Sequence, residues 1–372
     1  MRVRLPKSNG TGLALAVVLV MLWRAPVFAG GGSKQKAPLG SSATDPANLV
    51  WPLPPDKPRV RFLEMFSNNY DIEPRKKRSL VDRMVGNADP NKVEIFRRAS
   101  GVASDSQGRI LITSAQNATL YVLDKGHKEV IRIRGDRGIV LKMPLGLAVD
   151  SHDNIYVSDP SQHMVMKFDR DGHLQAMIGQ NPALQNPALL ALDEVRRRLF
   201  VVDSHLHQVL VYNLDTLQNI AAVGKRGAKN GEFNYPVGVG VNRDGYFAVT
   251  DTGSCSVQIF SPDFKFVRRF GGRGDRPGYF TRPKGVAFDS EGNIWVVDAA
   301  FNNLQIFDPK GTILMFVGNF GSAPGAFNLP LGIYIDKQDR VYVGDALNSR
   351  VQVFQFLGGD HPGSPRNPGE RR

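Results

Sequence analysis

One motif recurs six times along this chain, and it limits what the chain can fold into more than any other feature. Each copy opens on Gly-x-x-x-Asp or a close variant: Gly101 with Asp105, Gly146 with Asp150, Leu189 with Asp193, Gly238 with Asn242, Gly285 with Asp289 and Gly332 with Asp336. The closing Asp or Asn returns every 43 to 49 residues, which is the period of one propeller blade. Two further marks keep the same register. Asp159, Asp203, Asp251, Asp298 and Asp345 each end a second apolar run, with Ser114 in the first copy, and Gly135, Gly179, Gly224, Gly271 and Gly318 close a fourth. The fullest copy, 283–318, holds alternating apolar runs at 285–288, 294–297, 304–307 and 313–317, separated by Asp, Asn and Gly. Such runs read as four antiparallel strands. A lone four-stranded sheet cannot bury both faces, so copies must pack on one another. The expected fold is all-β: a six-bladed β-propeller of four-stranded antiparallel blades.

The units resemble NHL repeats, a six-bladed propeller family. The resemblance rests on Pro283-x-Gly285-x-Ala287-x-Asp289, on Asn293 through Asp298 and on Leu304 through Phe307. It rests also on Pro144 to Asp150 with Asn154 to Asp159, and on Pro330 to Asp336 with Val341 to Asp345 and Val351 to Phe354. It spans roughly 96–357 and is specific for fold. Propellers host many unrelated activities, so it implies little about chemistry.

Residues 1–29 read as a cleaved export signal, with Arg2, Arg4 and Lys7 ahead of an apolar stretch and Val27-Phe28-Ala29 at the cleavage position. About 12 apolar residues are too few to span a bilayer, so no membrane span is expected after cleavage. Localisation is then periplasmic or secreted. Removing 1–29 takes four cations and no acid from the formal charge of +12, leaving +8. A basic balance favours polyanions, although nucleic acid is an unnatural partner for an exported chain. Cys255 is the only cysteine, so no intrachain disulfide supports the fold, and the core of a monomer must suffice.

Residues 30–57 read as a Pro/Gly/Ser-rich linker, with Trp51 suited to docking on the body. Residues 58–66 alternate as a strand ahead of the first repeat. The sixth copy lacks a fourth run before the tail at 358–372. An open strand edge invites aggregation, so Val60–Phe66 is expected to supply the outer strand of the last blade and close the ring. A basic run at 75–78 precedes a short amphipathic helix expected at 79–85.

Two registers invite a chemical reading. Four residues past the Asp that ends strand two stand His163, His207 and Cys255, with His205 nearby. Imidazoles and a thiolate on neighbouring loops suit zinc or copper, yet Ala118, Asn302 and Ser349 fill the same position elsewhere, as a turn residue would. The Asp series itself reads as turn caps. The second register is the connection between blades. It carries Arg134, Arg137 and Lys142, then Lys225, Arg226 and Lys229, then Arg273, Arg276, Arg282 and Lys284. Tyr235, Tyr279 and Phe320 lie among them. In a propeller these loops share one face with the strand two-to-three turns, which suits a polyanion or acidic peptide.

Two functions follow. The first is a non-enzymatic module binding a protein, peptide or anionic glycan through the basic loop face, with no cofactor. The second is a lyase or hydrolase. Propellers such as the peptidyl-hydroxyglycine lyases and gluconolactonase-like enzymes, which resemble this chain in fold, imply calcium or zinc in the central channel. No inward set of acids or histidines stands out for that site.

Overall fold

The structure, a computed structural model, describes residues 49–75, 96–180 and 182–358. The export segment, most of the linker, the 79–85 helix and the tail beyond 358 lie outside these residues. Six sheets are built from the repeats, each ordered from the inner strand outward. Blade 5 shows the plan: Pro283–Phe288, Ile294–Asp298, Asn303–Phe307 and Ile313–Val317 pair antiparallel in sequence order. Its second strand is buried throughout, and its fourth alternates between buried and exposed. This gradient follows from position, because inner strands pack between two neighbouring blades and the outer strand faces water on one side.

The sixth blade is closed as expected. Val60–Phe66 pairs antiparallel with Arg350–Phe356, placing a strand from before the repeats beside the last strand of the chain's ring. Val60, Phe62 and Phe66 are buried in it. A fifth strand, Val50–Trp51, lies outside it in the stretch read as linker. Trp51 docks edge-on against Phe354 at 5.7 Å, over Gly325, where an added Cβ would lie 2.6 Å from the indole.

Blades are joined by short polar stitches. A hydroxyl from strand two donates to the next inner strand: Thr113 to the Leu145 carbonyl at 2.7 Å, Ser158 to Ala188 at 2.5 Å and Thr250 to Lys284 at 2.5 Å. At the opposite ends of the inner strands Ser106 donates to Asp153, Ser151 to Glu194 and Ser290 to Asp339. Backbones approach closely between these stitches. A Cβ on Gly238 would sit 2.2 Å from the Lys284 carbonyl, and one on Gly332 would sit 2.1 Å from that of Ser100. The second of these contacts joins the last inner strand to the first and completes the circle.

One register mark shifts. Gly135 does not close the fourth strand of blade 1, which ends at Ile133. It opens a two-residue ribbon with Ile139–Val140, and the Ile139 carbonyl would lie 2.1 Å from a Cβ there.

Candidate loop-face site

The inner strands all start at one face, and the loops that feed them are built rather than loose. In the loop before blade 5, Phe280 is fully buried and its ring packs on Gly271, whose φ of +81° no side chain adopts easily. Phe233 and Phe327 repeat the arrangement before blades 4 and 6. A buried glutamine from strand three then grips the loop backbone with both ends of its amide. Gln258 accepts from Gly231 N–H at 2.8 Å and donates to Glu232 O at 2.7 Å. Gln305 does the same for Gly278 and Tyr279, and Gln352 for Gly325 and Ala326. Blades 1 to 3 carry Tyr121, Met166 and Leu210 at that position, so the framed loops are confined to one half of the ring.

The Asp series ties these loops to the strand two-to-three turns. Asp298 accepts from Thr281 and Arg282 N–H on the loop side, and from Ala300 and Phe301 N–H in its own turn. Asp251 takes Asn234 and Tyr235 N–H, and Asp203 takes Gln185 and Asn186. The cap expected from sequence is therefore a bridge between two loops. These carboxylates are buried and taken up by loop backbone, with the Ser254 hydroxyl also donating to Asp251, which is a structural duty.

From this frame the cations project. Arg226, Lys229, Arg273, Arg276 and Arg282 are exposed. Among the described residues none of these five side chains meets an acid within ion-pair distance. Arg276 stacks over Tyr279 at 4.9 Å, which presents its guanidinium on a rigid plate. Lys225 stands 3.6 Å from Glu232, whose carboxyl is held below its usual range, first by the Lys229 N–H and then by the nearby lysines. Tyr235 is exposed beside His205, and Phe320 is 70% exposed on the loop before blade 6. These residues belong to adjacent loops before blades 4, 5 and 6. Arg134 and Arg137, both exposed, belong to the ribbon before blade 2, three blades round the ring from the blade 5 loop, with Arg137 3.7 Å from Asp136. Lys284 is not on a loop. It is the second residue of the inner strand Pro283–Phe288 and is half-buried.

His163, His207 and Cys255 occupy one backbone position. Their φ values of 56°, 56° and 52° are shared by Ala118, Asn302 and Ser349 at 49°, 56° and 52°. The register is therefore a left-handed turn residue repeated in every blade. His163 Nδ1 lies 2.5 Å from the Gln185 carbonyl, His207 Nδ1 is buried without a partner, and the Cys255 thiol faces the Thr252 and Thr281 carbonyls. Burial pushes that thiol up. Among the described residues no three His, Cys, Asp or Glu side chains group as a metal site.

Val102, Leu147, Leu190, Val239, Val286 and Ile333, one from each inner strand, line the axis. Beyond them, toward the opposite face, opens a cavity of about 500 Å³ walled by Leu192, Val241, Phe288 and Ile335. Asp105, Asp150, Glu194 and Asp336 stand at its mouth. Each is engaged at home: Asp105 with Arg109, Asp150 with Asn154 and Tyr156, Glu194 with Ser151 and Arg197, and Asp336 with Arg340 and Tyr342.

Six four-stranded blades around one axis, the last of them closed by an N-terminal strand, define a six-bladed β-propeller. The NHL repeat profile matches residues 233–260 and 327–354, each match running from a loop phenylalanine into the strand that carries the glutamine. The chain is an NHL-repeat β-propeller. No curated protein sequence matches it. Solved structures resemble it in fold. One is a Bacteroides thetaiotaomicron protein of unknown function, 17% identical over 72% of each chain with a TM-score of 0.57. Another is virginiamycin B lyase from Staphylococcus aureus, 11% identical over 73% of this chain and 83% of that one, TM-score 0.52. A third is a gluconolactonase from Xanthomonas campestris, 16% identical over 70% and 87%, TM-score 0.51. At such identities the likeness is one of fold.

Proposed function

We propose that this propeller is a non-enzymatic binding module that takes an acidic partner, a protein, peptide or anionic glycan, on the face formed by loops 225–235 and 273–282. The observation that carries this reading is the set of five exposed cations, Arg226, Lys229, Arg273, Arg276 and Arg282, raised without ion-pair partners on backbone that Phe233, Phe280, Gln258 and Gln305 hold in place. Positioned charge costs little reorganisation on binding, and aromatic plates among the cations add contact area that tolerates either a peptide or a sugar. The aliphatic lining that the six inner strands give the axis supports the same reading, because these residues offer a substrate no polar group.

A second reading, a lyase or hydrolase, draws on the 500 Å³ cavity of the opposite face and on the lyase and lactonase that share the fold. Calcium or zinc would belong to that reading. Export after loss of residues 1–29 belongs to both.

Fluorescence anisotropy with a labelled polyglutamate peptide and a labelled polyuronate tests the proposal. Binding is expected to weaken steeply with salt, since each neutralised contact releases a counterion. The double variant Arg273→Glu, Arg276→Glu is expected to weaken it about tenfold or more, because two attractive contacts become repulsive. Binding that ignores both salt and the double variant would sink the reading.

A further inference from the structure

Ser100, Leu145, Ala188, Val237, Lys284 and Leu331 occupy one register of the ring of inner strands, each the second residue of the repeat's Pro-x-Gly or its equivalent and each two residues before a residue that lines the axis. Five are uncharged. Lys284 alone brings an ammonium to the ring, and none of the residues lining the axial cavity is its neighbour in this ring.

Its setting differs from that of a surface lysine. The residue is half-buried, and among the described residues its Nζ makes neither a hydrogen bond nor an ion pair. Its backbone is fixed by the Thr250 hydroxyl and by the close approach of Gly238. An ammonium withdrawn from water normally acquires a carboxylate. Asp298 is the acid whose charge reaches Lys284, and the Asp298 oxygens are taken by the N–H groups of Thr281, Arg282, Ala300 and Phe301. Arg282, next but one along the chain, adds a second cation where a partner would be expected.

We propose that Lys284 is the anion anchor of the loop face: a ligand places one carboxylate on this ammonium at the centre of the ring, while Arg282, Arg273 and Arg276 engage its remaining negative charge. The inference rests on the acidic-ligand reading and adds to it the chemical group and its position. A carboxylate accepts the charge-assisted hydrogen bonds that the ammonium lacks, and it does so where partial desolvation strengthens the pair. Val286 and its counterparts on the other inner strands, two residues further on, put aliphatic surface next to this register. Chain-end carboxylates and uronic sugars share this chemistry.

Burial, and then Arg282, pull the Lys284 ammonium down to about 8. Its neighbours in the ring carry no titratable group, so Asp298 and Arg282 are the charges that act on it. The ligand needs the charged form. Affinity is therefore level below the free pKa and falls as pH rises through it, and binding above pH 8 takes up a proton.

The test is carbon-13 NMR of the full chain labelled at lysine Cε, with Lys284→Met identifying the resonance. The Lys284 signal is expected to titrate near pH 8, and saturating N-acetylglycine or glucuronate is expected to raise its midpoint by about one unit, as a new charge partner does. Lys284→Met is expected to weaken binding of these probes about tenfold or more, whereas Lys265→Ala, in the exposed turn between the third and fourth strands of blade 4, leaves it unchanged. A midpoint that neither probe moves overturns the anchor, and so does wild-type affinity in Lys284→Met. The titration of the unaltered chain decides the matter even where the variant folds poorly. If the probes shift Lys284 but polyglutamate and polyuronate do not bind, the anchor stands and the wider acidic-face reading falls. The reverse result removes the anchor alone. A response to N-acetylglycine over glucuronate assigns the carboxylate to a peptide end, and the opposite preference assigns it to a sugar.

Discussion

Asp289 shows what the repeat asks of a single residue. Its carboxylate accepts from the N–H groups of Glu291 and Asn293, from Asn293 Nδ2 at 2.9 Å and from Trp295 Nε1 at 2.8 Å. Burial nevertheless dominates these donors and pushes the group up to about 6, with Asp339 across the blade junction adding a like charge. The folded state thus holds a proton that the unfolded chain has released between about pH 4 and pH 6. Stability is expected to fall as pH rises through that window and to flatten above it. Asp289→Asn is expected to lose that part of the slope, which urea denaturation at a series of pH values measures. The sequence exposed Asp289 as a repeat mark, since turn aspartates recur visibly. It could not show that His163, His207 and Cys255 share a left-handed φ, because a side-chain register and a backbone register look alike in one dimension.

At the scale of the element, the loop and its frame are the unit. Gly271, Phe280 and Gln305 act together: the glycine admits the ring, the ring fills the space beneath the loop, and the amide clamps the loop backbone. Phe280→Ala is expected to cost about 3–5 kcal/mol, the range for an aromatic lost from a closed core. Gln305→Ala is expected to cost less, about 1–3 kcal/mol for two loop groups left unsatisfied, yet to weaken ligand binding on the face as Phe280→Ala does. Chemical denaturation and the polyglutamate assay separate the two effects. Equal binding by both variants and the parent chain would mean that the frame does not position the cations. The closing glycines were legible in sequence. Their partners were not, because Gly271 ends blade 4 and Gln305 stands 34 residues on in the third strand of blade 5, and only the packed fold brings both to the same loop.

At the scale of the whole molecule, closure rests on the N-terminal strand. Val60, Phe62 and Phe66 are buried against the last blade, and three such side chains contribute roughly 5–9 kcal/mol. Deleting 58–66 is expected to lower the melting temperature on the order of 10 °C or more for a domain of this size, measured by differential scanning calorimetry. An unchanged transition would remove the closure from the account of stability. Trp51 extends the closure by a fifth strand.

The sequence by itself determined the repeat, the number of blades, the strand that closes the ring and the face on which the connecting cations gather. Each of these is carried by local periodicity and by the spacing of turn residues. Only the tertiary structure decided which cations stand together, that Arg134 and Arg137 belong to another sector, and that Lys284 belongs to an inner strand rather than a loop. Those facts depend on the angle between blades, to which residues hundreds of positions apart contribute equally, and no local pattern records an angle.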